Sequence, residues 1–268
     1  MSDRTPVTAC ITVNFHGTSV ERQAAPGAAL VGKLGYGRYP ANVGNARILA
    51  MLARRGIKAT FFVSGFDAEA HPAEIEAIVK GGHEIASNGY CMEDHTRLGD
   101  AEEDTIVRAH EALRRATGQA PKGWRAPHGL LSTATLGILA RQGYAYDSSF
   151  QDDFTPYPLA ADGGAGMVEL PQNEMLIDAT LYGLRQTHDR VMTTWIDEFD
   201  AAYDERAFIC LTLHPRSDYG SGRASRIDVV ERFIDHVEGR GDVVFRTCGE
   251  PTIKMPGAPS CRAFCVSA

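Results

Sequence analysis

The sequence has no long apolar run, no excess of positive charge and no regular cysteine pattern, and each absence excludes a class of protein. Spanning a bilayer takes about 20 consecutive apolar residues, and no stretch of the 268 comes close. The first residues, Met1 to Pro6, are polar and lead straight into a strand-like run, unlike the apolar core of a signal peptide. These features predict a cytoplasmic protein without a membrane partner. Acidic residues outnumber basic ones, 34 to 27, for a net charge of −7. A dedicated nucleic-acid binder would carry the opposite balance, so no nucleic-acid partner is expected. Of six cysteines, Cys10 and Cys210 sit in apolar runs, where a reduced thiol acts as a small hydrophobe. Cys261 and Cys265 form a lone C-x-x-x-C near the end, without the second pair of a structural zinc site.

What is present is an ordinary globular composition, 44% apolar and 23% charged, laid out as alternating strands and helices. Residues 9–15 (ACITVNF) predict a buried strand. A glycine-rich loop follows over 26–44, and then a helix over 45–55 closed by Gly56. Further strands are expected at 59–63, 84–87, 123–127, 144–149, 167–170, 208–214 and 243–246. Helices are expected after Pro72 and over 101–117, 188–203 and 227–237, with another running from the Ser132 cap to Gly143. Asp100 and Glu103 have capping-box spacing at the start of the second of these. About eight strands separated by helices predict a parallel sheet with right-handed crossovers. A closed (β/α) barrel is favoured over an open sheet. One domain is expected over 1–268, with its core at 8–250 and a tail at 251–268.

In such a barrel the chemistry collects at the carboxyl ends of strands. The segments found there are Asn14-Phe15-His16-Gly17, Ser87 to His95, Trp124-Arg125-Ala126-Pro127-His128-Gly129 and Leu213-His214-Pro215-Arg216. His16, His128 and His214 would share one mouth with the guanidinium of Arg125. The stretch 32–44 has no phosphate-loop lysine pattern.

Five stretches, taken in order, carry a family resemblance: Gly56-Ile57-Lys58-Ala59-Thr60-Phe61-Phe62-Val63, Gly82-His83-Glu84-Ile85-Ala86-Ser87, Gly123-Trp124-Arg125-Ala126-Pro127, Tyr146-Asp147-Ser148-Ser149 and Leu213-His214-Pro215. Through them the chain resembles the polysaccharide deacetylase family with its NodB homology domain. It is most similar to the cytoplasmic branch of peptidoglycan-deacetylase-like, cyclic-imide-hydrolysing and allantoinase-type enzymes. The resemblance covers roughly Thr8 to Glu250. It implies a distorted (β/α) barrel of seven to eight strands and hydrolysis of a non-peptide C–N bond, usually by a metal-bound water.

The departures matter as much as the match. Where the family has adjacent aspartates after the first strand, a general base and a metal ligand, this chain has Phe15 and His16. Where the family has His-x-x-x-His, it has Asn88 and Met92. An amide and a thioether are poor zinc ligands, so the standard metal site is expected to be absent. The resemblance gives Arg125 the role of orienting the base and His214 that of protonating the leaving group. His128 stands where many relatives have an aromatic residue. Asn88, Cys91, Trp124 and Asp153 are the expected substrate contacts.

Four uses of this pocket are open on sequence. In the first, a metal-free hydrolase uses His16 or His128 to activate water, His214 as the acid, and Arg125 with backbone N–H groups to hold the oxyanion. In the second, a zinc site is rebuilt from His16, His128 and His214, joined by His95 or Glu93. In the third, Cys91 is a nucleophile paired with a histidine. In the fourth, catalysis is lost and the pocket binds a ligand or does other chemistry. The first is favoured. A cytoplasmic chain suits a small linear or cyclic amide better than assembled glycan. Relatives in this branch are homo-oligomers, commonly tetramers, and the same is expected here. His71 is expected at the surface, and His95 either in the pocket or at the surface.

Overall fold

The structure is a computed structural model and describes residues 6–159 and 166–250, so the tail over 251–268, with Cys261 and Cys265, lies outside the described residues. Its centre is the apolar run after Pro6, which forms β1 (Val7–Phe15). Side chains alternate across a strand, and here the alternation separates two environments. Val7, Ala9, Ile11, Val13 and Phe15 join the core beneath the outer helices. Cys10 faces inward with Phe62, Tyr146, Cys210 and Cys248. Thr12 and Asn14 continue that inner row, and both bond to groups from the far side of the sheet.

Eight further strands follow: β2 (Thr60–Val63), β3 (Glu84–Ser87), β4 (Gly123–Trp124), β5 (Tyr146–Asp147), β6 (Tyr157–Leu159), β7 (Met167–Glu169), β8 (Ile209–Leu213) and β9 (Val243–Arg246). The sheet order is β6-β7-β5-β4-β3-β2-β1-β8, with β9 also pairing with β1. All pairs are parallel except β6 with β7. The sheet is thus the curled, distorted (β/α) barrel that the resemblance implies, without the full closure favoured from the alternation of strands and helices alone. Between β7 and β8 the described residues form only an isolated bridge, Ile177 with Thr212. Strand β6 is not among the strands expected from the sequence.

The helices are α1 (Ser19–Ala24), α2 (Asn45–Arg55), α3 (Gly65–Ala70), α4 (Pro72–Lys80), α5 (Glu102–Thr117), α6 (Thr135–Arg141), α7 (Asp178–Gly183), α8 (His188–Asp204) and α9 (Ala224–Glu238). Gly56 ends α2 at φ 65°, a left-handed conformation that glycine adopts without strain. The expected capping box is not formed. Asp100 lies in a 3-10 turn, and α5 starts from Ala101 with no side-chain cap. Ser132 also precedes its helix, with its hydroxyl donating to Glu102. Among the described residues no helix is long and apolar enough to cross a membrane.

Asp147 and Glu169 are register partners on β5 and β7, and both are fully buried. Burial, then the charge of Asp147, pushes the Glu169 carboxyl well above its ordinary value of 4.5. The folded state therefore favours protonated Glu169. Its stabilising contribution is complete below about pH 4.5 and is lost as pH rises through the elevated value. Glu169→Gln, which keeps a donor toward Asp147, is expected to flatten this loss in urea midpoints compared across that range. An unchanged pH dependence would refute the assignment.

Candidate active site

The inner rows of β1, β4 and β8 converge above the thiol layer. Arg125, one residue past β4, lies inside the barrel at 2% exposure. Its Nη1 donates to Thr12 Oγ1 (3.0 Å) and Asn14 Oδ1 (2.9 Å), and its Nε and Nη2 donate to Ser148 (3.0 and 2.9 Å). The guanidinium lies 3.9 Å above the Phe62 ring centroid. Among the described residues no carboxylate lies within ion-pair distance of it. A buried cation is thus held by neutral acceptors and an aromatic face.

Asn14 links Arg125 to His214, its Nδ2 lying 3.1 Å from His214 Nε2. On the ring's other side, His214 Nδ1 is 2.6 Å from Asp178 Oδ1. Asp178 comes from the first turn of α7, and its second oxygen accepts the backbone N–H groups of His214 and Ser221. His16 packs edge-on against His214, with ring centroids 4.8 Å apart. Its Nδ1 is 3.1 Å from the Tyr219 hydroxyl and its Nε2 is 3.2 Å from Asn88 Oδ1. Asn88 Nδ2 donates to the Arg125 carbonyl, which fixes the amide's orientation. His16 therefore donates from Nε2 and accepts at Nδ1. Burial first, then the like charges of His214 and Arg216, pulls its pKa well below 6.5. A neutral ring fits those hydrogen bonds.

The segment carrying His16 is pinned from α3. Asp67 accepts the N–H groups of Gly17 and Ser19, both at 3.1 Å, and the Ser19 hydroxyl. A Cβ on Gly17 would lie 2.5 Å from the Asp67 carboxylate, so only glycine fits this approach.

Several expectations are corrected here. The resemblance put Phe15 in the place of the base, but Phe15 is buried on the outer face with its ring toward His71. The residue gripped by Arg125 is Asn14, because strand alternation turns Asn14 inward and Phe15 outward. Trp124 does not face substrate either. It is fully buried among Ile106, Leu139 and Tyr144, on the opposite side of its strand from Arg125. Asp153 closes its own turn, accepting from Phe154 N and Thr155 N. His71 is half-buried and His95 is fully buried, 3.2 Å from Glu102. His128 is exposed at φ 57°, and its effect on the cluster is the charge that helps to lower the His16 pKa. Sequence reading did not single out Asn14, Asp178, Arg216 or Tyr219.

Cys91 is half-buried, its thiol aimed at the Ser19 carbonyl, and burial with the charges of Glu93 and Asp67 pushes its pKa up to about 12. A thiol so protonated is a poor nucleophile. Cys91→Ala is expected to leave turnover unchanged, and loss of activity in steady-state assays would restore the thiol reading.

The positions the resemblance assigns to metal ligands hold His16, Asn88 and Met92. Both polar atoms of Asn88 are engaged by the protein, and Met92 is buried in a left-handed turn at φ 61°. Among the described residues no three His, Cys, Asp or Glu side chains gather as a metal would require. Nor do His16, His128 and His214 form one donor set, since His16 and His214 use all four ring nitrogens on protein groups while His128 stands apart. This donor set does not fit the family's divalent ion.

Comparison with known proteins agrees with the curled barrel. The sequence pattern of the polysaccharide deacetylases matches residues 35–146. The peptidoglycan deacetylase of Helicobacter pylori is 28% identical over 250 residues, covering 80% of this chain and 84% of that protein. A crystal structure from Mycobacterium smegmatis, of a protein assigned to the polysaccharide deacetylases, is 32% identical with a TM-score of 0.84, covering 91% of this chain and 88% of that one. An allantoinase structure shares the fold, with a TM-score of 0.80 at 22% identity and coverage of 92% and 89%. The chain belongs to the polysaccharide deacetylase family, whose members are hydrolases of non-peptide C–N bonds.

Proposed function

We propose that this protein hydrolyses a C–N bond in a small linear or cyclic amide, using imidazoles where its relatives use a metal-bound water. The observation that carries the reading is the His214 ring, oriented by Asp178 on one nitrogen and packed against the neutral His16 on its face. Proton transfer by a positioned imidazole is worth about 10²–10⁴-fold in rate. The uncompensated charge of Arg125, relayed through the Asn14 amide, favours negative charge growing on a carbonyl oxygen. His16 Nε2–H is a second donor within the cluster.

A small substrate suits the burial of the site, where Asn14, Asn88 and His214 are at most 8% exposed. A cavity of about 470 Å³ lies elsewhere, beside Glu84 at the start of β3 and Lys122 before β4, away from this cluster. Relatives named as deacetylases and a fold neighbour named as an allantoinase set the panel to screen: acetylated amino sugars, cyclic imides, hydantoins and ureides. The protein stripped with chelator is expected to retain turnover of one class, and His214→Ala to lose it. Loss on chelation with recovery on added Zn²⁺ would overturn the metal-free reading. Absence of product across the panel would overturn hydrolysis itself.

A further inference from the structure

Hydrogen-bond direction around His214 is fixed from both ends. A guanidinium has only donors, so the Asn14 atom it meets at 2.9 Å is the oxygen. The atom Asn14 turns to His214 Nε2 is then its NH₂ group, and Nε2 must accept. At the other end Asp178 Oδ1, a carboxylate oxygen, accepts from Nδ1 at 2.6 Å. We propose that Asn14 is a positioning residue that makes His214 the proton acceptor of the reaction, holding the ring with its proton on Nδ1 and a lone pair on Nε2.

This rests on the hydrolytic reading and reverses the starting role that the family resemblance gave the ring. In the first step the Asn14 NH₂ group turns from Nε2 to the substrate carbonyl oxygen, a water oxygen bonds to the amide carbon, its proton passes to the freed Nε2 lone pair, and the carbonyl π pair moves onto oxygen. In the second the carbonyl re-forms, the C–N bond breaks, and the Nε2 proton goes to the departing nitrogen. Water alone is consumed. An aspartate in place of Asn14 would undo the arrangement, because an acceptor facing Nε2 draws a proton onto it.

Nitrogen-15 NMR of the whole protein, with His214 assigned by its loss in His214→Gln, reads which ring nitrogen carries hydrogen. The expected result is a protonated Nδ1 and a bare Nε2 in the native chain, and two protonated nitrogens in Asn14→Asp. On a substrate, Asn14→Asp is expected to lower kcat about 10²–10⁴-fold with little change in KM. A native ring protonated at Nε2, or an Asn14→Asp ring identical to the native one, overturns the proposal. The native spectrum decides alone if Asn14→Asp does not fold. Neither spectrum requires turnover, so a failed substrate screen would remove the hydrolytic reading and leave the ring assignment standing.

Discussion

Asp178→Asn is expected to lower kcat by about 10⁴-fold with the fold preserved, as the matching Asp→Asn change does in Ser-His-Asp hydrolases by forcing the wrong histidine tautomer. The one oxygen left on the substituted side chain would stay with the N–H groups of Ser221 and His214, so the new NH₂ group would replace the oxygen 2.6 Å from His214 Nδ1. A donor there makes Nδ1 an acceptor and moves the ring proton to Nε2, directly against the Asn14 NH₂ at 3.1 Å. The ring would then lack the lone pair that takes a proton from water. Steady-state kinetics on the substrate found in the panel, with a thermal melt to confirm folding, provides the measurement. His214→Ala should fall by a similar factor, and the double variant little further, because residues acting as one unit are not additive. Asp178→Asn within tenfold of the native rate would show that Asp178 does not set the tautomer.

Asp178 also marks where sequence reading ran out. The helix over 45–55 was legible because its apolar period and the closing Gly56 agree locally, and the strand over 243–246 because a β-branched apolar run begins just past Gly241. The (β/α) alternation was legible for the same reason. The six-residue helix α7 is too short to carry a period, and Asp178 matters through contacts 36 and 43 residues away. Asn14 did have a signal: Cys10, Thr12 and Asn14 share one face at period two, the face that Arg125 reaches. Motif alignment placed weight on Phe15 instead, although alternation puts it on the outer face. Trp124 was placed among the substrate contacts beside Arg125, although strand neighbours point to opposite sides. The capping-box spacing at Asp100 failed because a 3-10 turn intervenes before α5. Tyr219 and Arg216 lie in a loop, where no period exists to place them.

Arg216→Leu is expected to cost about 3–5 kcal/mol, because removing one partner of a buried ion pair leaves the other charge uncompensated. The Arg216 side chain is 2% exposed and meets Glu21 at 2.6 Å and Asp218 at 2.9 Å. It also reaches the carbonyls of His16 and Gly17 (3.5 and 3.4 Å) and lies 4.7 Å from the Tyr219 ring centroid. One cation therefore ties α1 and the strand-end loop of β1 to the loop after β8, holding His16 beside its Tyr219 partner. Urea denaturation measures the loss, and Glu21→Leu combined with Arg216→Leu should recover part of it by removing the stranded carboxylate. A second effect follows at His16, whose pKa Arg216 helps to depress. A neutral ring in the folded state contributes stability that is present above about pH 6.5 and is lost as pH falls through the depressed value. Without Arg216 the His16 titration, followed by its ring proton signals, should move up toward 6.5 and this acid-side loss should shrink. A titration that stays where it was would mean that burial and His214 keep the ring neutral without the guanidinium, and that Arg216 acts on the site only by holding its loops together.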